Sequence, residues 1–261
     1  MKIWHMNGAG NDFLVLDARN LTLDFATLSK KLCAQTGADG FMALDVSAVA
    51  DFRLHFYNSD GSRGEMCGNG SRCICRFAFE HGLAGEEMVI ETDAGLVPGK
   101  RLTESEYLVQ LNTPTVLDPH RKNGVAYVEL GCPGSPHAVV EMPGLSWDDR
   151  DTLRQQAKLL RFDSAFPKGA NVNFHTWLGE GHIRILTYER GVEDYTLACG
   201  TGTGSTAALL WATGQLPDGQ LQAENPGGTL RVTVEGDNGQ IRKLLLQGPT
   251  EVAAVYDMDL A

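Results

Sequence analysis

Apolar and polar residues alternate along much of this chain, the pattern of strands with one face buried. The pattern predicts strands at 3–6, 13–17, 52–57, 88–92, 107–111, 125–130, 137–142, 172–177, 183–188, 230–234, 243–246 and 252–256, most bounded by Gly, Pro, Asn or Asp. Helical spacing appears in four places. Residues 23–36 end at Gly37, 71–81 at Gly82 and 205–213 at Gly214, while 148–161 opens on acidic residues suited to a first helical turn. The helices at 71–81 and 205–213 are apolar nearly all round, which predicts burial inside their own sheets. The fold class expected is α+β, in two similar lobes.

The two apolar helices share a heading. One follows Cys67-Gly-Asn-Gly-Ser-Arg and the other Cys199-Gly-Thr-Gly-Thr-Gly-Ser. The preceding segments repeat as well. Asn11-Asp-Phe-Leu-Val-Leu opens the first half, and an alternating strand ends in Asn58, nine residues before Cys67. Asn171-Val-Asn-Phe opens the second, and an alternating strand ends in Glu189, ten residues before Cys199. A repeat longer than a hundred residues means a duplicated domain rather than a solenoid. The boundary is expected in the Pro- and Gly-containing stretch 114–124, giving lobes 1–117 and 118–249.

A net charge of −11 argues against nucleic acid or an anionic membrane as the partner, and leaves a small zwitterion open. No apolar run reaches membrane-span length. The N-terminal residues carry no apolar signal core, and the six cysteines read as reduced thiols, so a cytoplasmic protein is expected. Cys33, Cys73, Cys75 and Cys132 lack a Gly-rich turn and are read as packing residues. No Cys-x-x-Cys pair or zinc-like spacing occurs, so no metal is expected. Gly200-Thr-Gly-Thr-Gly and Gly8-Ala-Gly match neither the dinucleotide nor the phosphate-loop pattern. A hydrolase triad of Cys67, His137 and Asn171 would leave Cys199 and the duplication without a role.

A cysteine at a helix start sits where backbone N–H groups favour thiolate and bind small anions. Two such cysteines can invert one carbon, a thiolate taking the proton from one side while a thiol delivers one from the other. The N–H groups that follow each cysteine can hold an α-carboxylate and the charge that moves onto it. This scheme needs no cofactor, and no pyridoxal-phosphate lysine site is evident.

With these residues in view, the chain resembles the diaminopimelate epimerases of the cofactor-independent two-cysteine racemase and epimerase family. The stretches that carry the resemblance are Gly8-Ala-Gly-Asn-Asp-Phe, Gly37-Ala-Asp-Gly, Tyr57-Asn-Ser-Asp-Gly, Cys67-Gly-Asn-Gly-Ser-Arg-Cys, Gly134-Ser-Pro-His, Asn171-Val-Asn-Phe, Glu189-Arg-Gly and Ala198-Cys-Gly-Thr-Gly. The resemblance implies that each lobe is a barrel-like sheet wrapped round a central helix. It also implies that the strand at 250–261 packs on the first lobe, that the protein is a homodimer, and that no cofactor is used. Carried over by motif, Cys67 and Cys199 are the acid–base pair. Gly68, Asn69, Gly200 and Thr201 offer N–H groups to the α-carboxylate. Asn11, Asn58, Asn171 and Arg190 bind substrate, with Ser135 at the distal end, and His137 and Glu189 support proton transfer. Ser135 stands where the family commonly has Asn, and 191–198 is one residue longer than in many relatives. The substrate expected is LL-diaminopimelate. The alternatives are another amino acid, such as histidine, or a non-catalytic binding protein.

Overall fold

The computed structural model describes residues 1–132 and 134–258. It has two compact units, Met1–Val109 with Gln247–Ala261, and Gln110–Leu246. The stretch 114–122, expected at the boundary, is a strand belonging to the second unit.

In the first lobe β1 (Lys2–Gly8) and β2 (Asn11–Asp17) form a hairpin. Its turn residues Ala9 and Gly10 both have positive φ, 56° and 90°, as a tight turn between twisted strands requires. Helix α1 (Phe25–Thr36) starts where the Asp24 carboxylate accepts from Thr27 N–H, and stops at Gly37 in the left-handed region. It leads to β3 (Gly40–Asp45), parallel to β2, and then to β4 (Phe52–Asn58), antiparallel to β3. The short β5 (Arg63–Gly64) folds back on β4. Helix α2 (Gly68–Glu80) crosses to β6 (Glu87–Thr92), parallel to β4. The antiparallel strands β7 (Gly95–Arg101) and β8 (Glu106–Leu111) follow.

The second lobe repeats this order. After β9 (Pro114–Lys122), strands β10 (Val125–Leu130) and β11 (Ser135–Glu141) are antiparallel. Helix α3 (Arg150–Arg161) leads to β12 (Asn171–Gly179), parallel to β11, and β13 (His182–Glu189) runs antiparallel to β12. The short β14 (Asp194–Tyr195) folds back on β13, and α4 (Gly200–Ala212) crosses to β15 (Gln220–Asn225), parallel to β13. Strands β16 (Gly228–Asp237) and β17 (Gln240–Pro249) follow. The last strand, β18 (Glu251–Asp257), pairs antiparallel with β1, the place β9 takes beside β10.

In each lobe the sheet lies between an outer and a central helix. Helix α1 covers a core that includes Leu14, Leu16, Leu32 and Phe41; α3 lies over the core that holds Ala138, Leu160, Val172 and Phe174. Helix α2 packs on β1, β2, β3 and β7, and α4 on β9, β10, β11, β12, β15 and β16. Both central helices are 13 residues long and buried along most of their length. The α+β fold with a sheet round each central helix is therefore present. Among the described residues no helix is long and apolar enough to cross a membrane.

Register fixes which residues correspond. His137 pairs with Asn171 as Phe13 pairs with Gly40, and Asn173 pairs with Thr187 as Met42 pairs with Phe56. Asn58 and Glu189 end the equivalent strands β4 and β13, as the sequence order implied. The early strands do not correspond as first matched. The strand of Asn11 is equivalent to that of Ser135, whereas Asn171 opens the equivalent of β3. Both begin with asparagine and run apolar, but one precedes the outer helix and the other follows it.

Candidate active site

Cys67 and Cys199 occupy the same position: each is the N-cap of its central helix, in extended backbone with φ of −128° and −120°. Their carbonyls accept the first helical bonds, from Ser71 N–H at 2.7 Å and Thr203 N–H at 3.0 Å. The Cys199 thiol is buried, accepts from Gly202 N–H at 3.4 Å, and lies 3.5 Å from the Thr201 hydroxyl. Cys67 is partly exposed and its side chain makes no capping bond. The first N–H groups of a helix have no acceptor within it, so both helix starts offer donors to an anion.

The third residue after each cysteine is a closely enclosed glycine. A Cβ at Gly70 would meet Met42 Sδ at 3.0 Å, and one at Gly202 would run into Asn173 Oδ1. The same close approach is thus lined by a thioether in one lobe and an amide in the other.

Around Cys67, the Asn69 side chain is almost fully buried and donates to Asn11 Oδ1 at 2.5 Å. Asn11 Nδ2 donates to Asp39, whose carboxylate also accepts from Asp12 N–H at 2.9 Å. The turn after β2's hairpin partner and the helix start are thereby tied together. Asn58 is exposed at the end of β4, where its Nδ2 donates to Ser62 Oγ at 2.9 Å.

In the second lobe His137 is fully buried and lies on the strand face turned away from the outer-helix core. Burial, and secondly the Arg190 charge, push its pKa down to about 3. The imidazole is therefore neutral at neutral pH. Its tautomer follows from Asn173, whose Nδ2 donates to the Ala138 carbonyl at 3.0 Å while its Oδ1 accepts from the Thr187 hydroxyl at 2.9 Å. That same Nδ2 is 3.2 Å from His137 Nδ1, so Nδ1 accepts and Nε2 carries the proton. Nε2 lies 3.2 Å from Ser135 Oγ. Ser135 can then accept from the histidine and still donate its own hydroxyl hydrogen to a ligand.

Asn171 links two strand ends. Its Nδ2 donates to the Pro136 carbonyl at 3.1 Å, and its Oδ1 accepts from Arg190 N–H at 2.8 Å. Arg190 is exposed, with Nη1 on the Lys168 carbonyl at 3.0 Å. Lys168 Nζ in turn pairs with the buried Glu129 at 2.6 Å. Glu189 ends β13 directly before Arg190, and its carbonyl accepts from Glu193 N–H at 2.8 Å.

The first lobe thus groups Asn11, Asn58, Cys67, Gly68 and Asn69 on strand ends and one helix start. The second groups Ser135, His137, Asn171, Glu189, Arg190, Cys199, Gly200 and Thr201 in the same way. Sequence reasoning missed Asn173 and Thr187. Their signal was parity: Asn173 lies two residues from Asn171, on the same strand face.

Comparison with known proteins shows the family and the fold. A family model described as diaminopimelate epimerase matches residues 3–115 and 132–251. A diaminopimelate epimerase of Hydrogenobaculum sp. (strain Y04AAS1) is 36% identical, with 96% of this chain and 95% of that protein covered. One from Chlorobaculum tepidum is 34% identical, covering 96% of this chain and 98% of its own. Among solved structures, a PhzF-family phenazine biosynthesis protein of Bacillus anthracis has the same fold, with TM-score 0.76 at 15% identity over 100% of this chain and 99% of that one. A probable proline racemase from Agrobacterium radiobacter K84, with bound carbonate, has TM-score 0.71 at 17% identity over 100% and 93%. Its two Cys-headed central helices, its repeated lobes and these matches together mean that the chain belongs to the diaminopimelate epimerase family.

Proposed function

We propose that this chain is an isomerase that interconverts LL-diaminopimelate and meso-diaminopimelate by a two-thiol mechanism without a cofactor. The observation that carries this is the placement of Cys67 and Cys199 as N-caps of equivalent helices in a duplicated fold. An epimerisation that runs both ways needs two similar acid–base groups. A duplicated lobe supplies one from each copy.

One thiolate removes the α-proton and becomes a thiol. The bonding pair of that C–H passes into the carboxylate, which becomes doubly charged. The opposing thiol then gives its proton to the other face of the carbon and becomes the thiolate. Helix N–H groups at Gly68, Asn69, Gly200 and Thr201 hold the carboxylate and stabilise its added charge. Arg190, with the amides of Asn58 and Asn171, takes the second carboxylate and ammonium of the distal end. His137 is a neutral donor that orients Ser135 toward the same end, and Glu189 supports the protonation of the cysteines. The enzyme is read as cytoplasmic and homodimeric, the second of these carried over from the family resemblance.

The test is stereochemical turnover of LL-diaminopimelate in deuterated water, beside histidine and other common amino acids. Turnover of diaminopimelate with deuterium at one α-carbon is expected. Racemisation of a monocarboxylic amino acid with none of diaminopimelate would overturn the substrate and keep the mechanism.

A further inference from the structure

Among the described residues, the largest side chain wholly shielded from solvent is that of Arg72, in α2, one turn beyond Cys67. Its Nη1 donates to the Gly68 carbonyl at 3.3 Å and its Nη2 to Asn69 Oδ1 at 3.0 Å, while Nε has no hydrogen-bond acceptor. No carboxylate among the described residues pairs with it.

A guanidinium does not release its proton in a protein, so this charge is permanent. Burial without a counter-charge is unfavourable. The location makes it worse, because the peptide dipoles already give this end of the helix a positive potential. Both effects are relieved by an anion close by. The thiols whose charge bears on Arg72 are Cys67, Cys73 and Cys75. Cys73 and Cys75 are fully buried, and burial pushes both up, Cys73 to about 12, so they remain thiols. Arg76 and Asp12 also act on Cys73. Arg76 pairs with Glu80, and Asp12 is held by Asn7 and His5. Cys67 reaches solvent and heads the helix.

The second lobe lacks this cation. The position equivalent to Arg72 is Gly204, where an added Cβ would meet Leu111 Cδ1 at 2.6 Å and Leu244 Cδ2 at 3.2 Å. Leucines close over that position and leave no room for a side chain there.

We propose that Arg72 is a positioning residue, the built-in counter-ion of Cys67, so that the free enzyme rests with thiolate at Cys67 and thiol at Cys199. This rests on the two-thiol reading above. Each turnover in one direction leaves the protons exchanged, and Arg72 draws the negative charge back to Cys67 before the next.

The experiment follows iodoacetamide alkylation of each cysteine by peptide mass, from about pH 5 to about pH 9. The midpoint in pH is compared rather than the rate, because Cys199 is the more buried. In the natural sequence the Cys67 midpoint should lie below that of Cys199. In Arg72→Met it should rise by about one to three pH units, the effect of removing a close opposite charge, with Cys199 unmoved. Arg72→Lys should restore part of the difference. Equal midpoints, or a lower one at Cys199, would overturn the proposal. If Arg72→Met fails to fold by circular dichroism, the comparison within the natural sequence decides. Turnover separates the two readings. Intact epimerisation with the midpoints reversed removes the counter-ion alone, and no epimerisation with Cys67 still lower removes the two-thiol mechanism alone.

Discussion

The two lobes share one topology but differ in the layer beneath their central helices. In the first lobe Phe13, Met42 and Phe56 form that layer; in the second the same register positions hold His137, Asn173 and Thr187. Two residues further along β3 and β12, on the same face, Leu44 becomes His175. An apolar floor under Cys67 is replaced by a hydrogen-bonded floor under Cys199. The cations differ too, with Arg72 buried in one lobe and Arg190 exposed in the other. Duplication keeps a cysteine at the start of each central helix. It leaves the rest free to diverge: one lobe buries an arginine near its helix start, and the other buries a hydrogen-bonded histidine.

The comparison breaks most severely at the cysteines. Cys67→Ala and Cys199→Ala should each lower epimerisation in both directions by about 10²–10⁴-fold or more, the range for a lost general acid or base. Stereochemical turnover measures it, and near-normal epimerisation by Cys199→Ala would sink the equivalence of the two lobes.

Arg190 is next. Arg190→Met should lower kcat/KM for diaminopimelate more than tenfold, since a charge-assisted bond contributes about 1.5–3 kcal/mol and ~1.4 kcal/mol is a decade. Urea unfolding should show little change, because the side chain is exposed. A drop in stability matching the drop in activity would assign Arg190 a structural part instead.

The floors can be exchanged. Asn173→Met places in the second lobe the residue that serves the first. It leaves the Ala138 carbonyl and the Thr187 hydroxyl without their partner and His137 free to change tautomer. A loss of about 1–3 kcal/mol is expected, with reduced kcat. Met42→Leu in the first lobe should cost less than about 1.5 kcal/mol and spare the activity. Equal effects in urea melts and kinetics would mean that the polar layer is only packing.

The mildest test is acid. Burial holds His137 at about 3 and His175 at about 4 in the folded protein, below the usual value of 6.5. Between 6.5 and those values the unfolded chain binds more protons than the folded one. Stability therefore falls as pH drops through that window. The first lobe has Phe13 and Leu44 in those places. Hydrogen exchange at pH 5 against pH 7 should loosen β11 and β12 before β2 and β3. Uniform loosening of both lobes would contradict it.

Much of this was legible before the fold was known. The Cys-Gly headings, the two buried helices and the strand ends at Asn58 and Glu189 all follow from local patterns. Other elements were hidden for physical reasons. Strand β3 is buried on both faces, so its Phe-Met-Ala-Leu run shows no alternation. Strand β7 contains Pro98 and Gly99, and β9 contains Pro114 and Pro119, residues that read as turns. Asn173 was overlooked because a polar residue alternating along a strand reads as solvent-facing, whereas here that face meets a buried helix. Arg72 was passed over as part of a motif, since nothing local tells a buried arginine from a solvated one.

The pairing of β18 with β1 also bears on the order in which the molecule is made. The second lobe is one continuous stretch, complete once β17 has left the ribosome. The first lobe is synthesised earlier but lacks an edge until its closing strand arrives 140 residues later, from the end of β8 at Leu111 to the start of β18 at Glu251. Domains generally fold in the order of their synthesis. Here the lobe made second is the first that can close, and β1 must wait with an open hydrogen-bonding edge while it does.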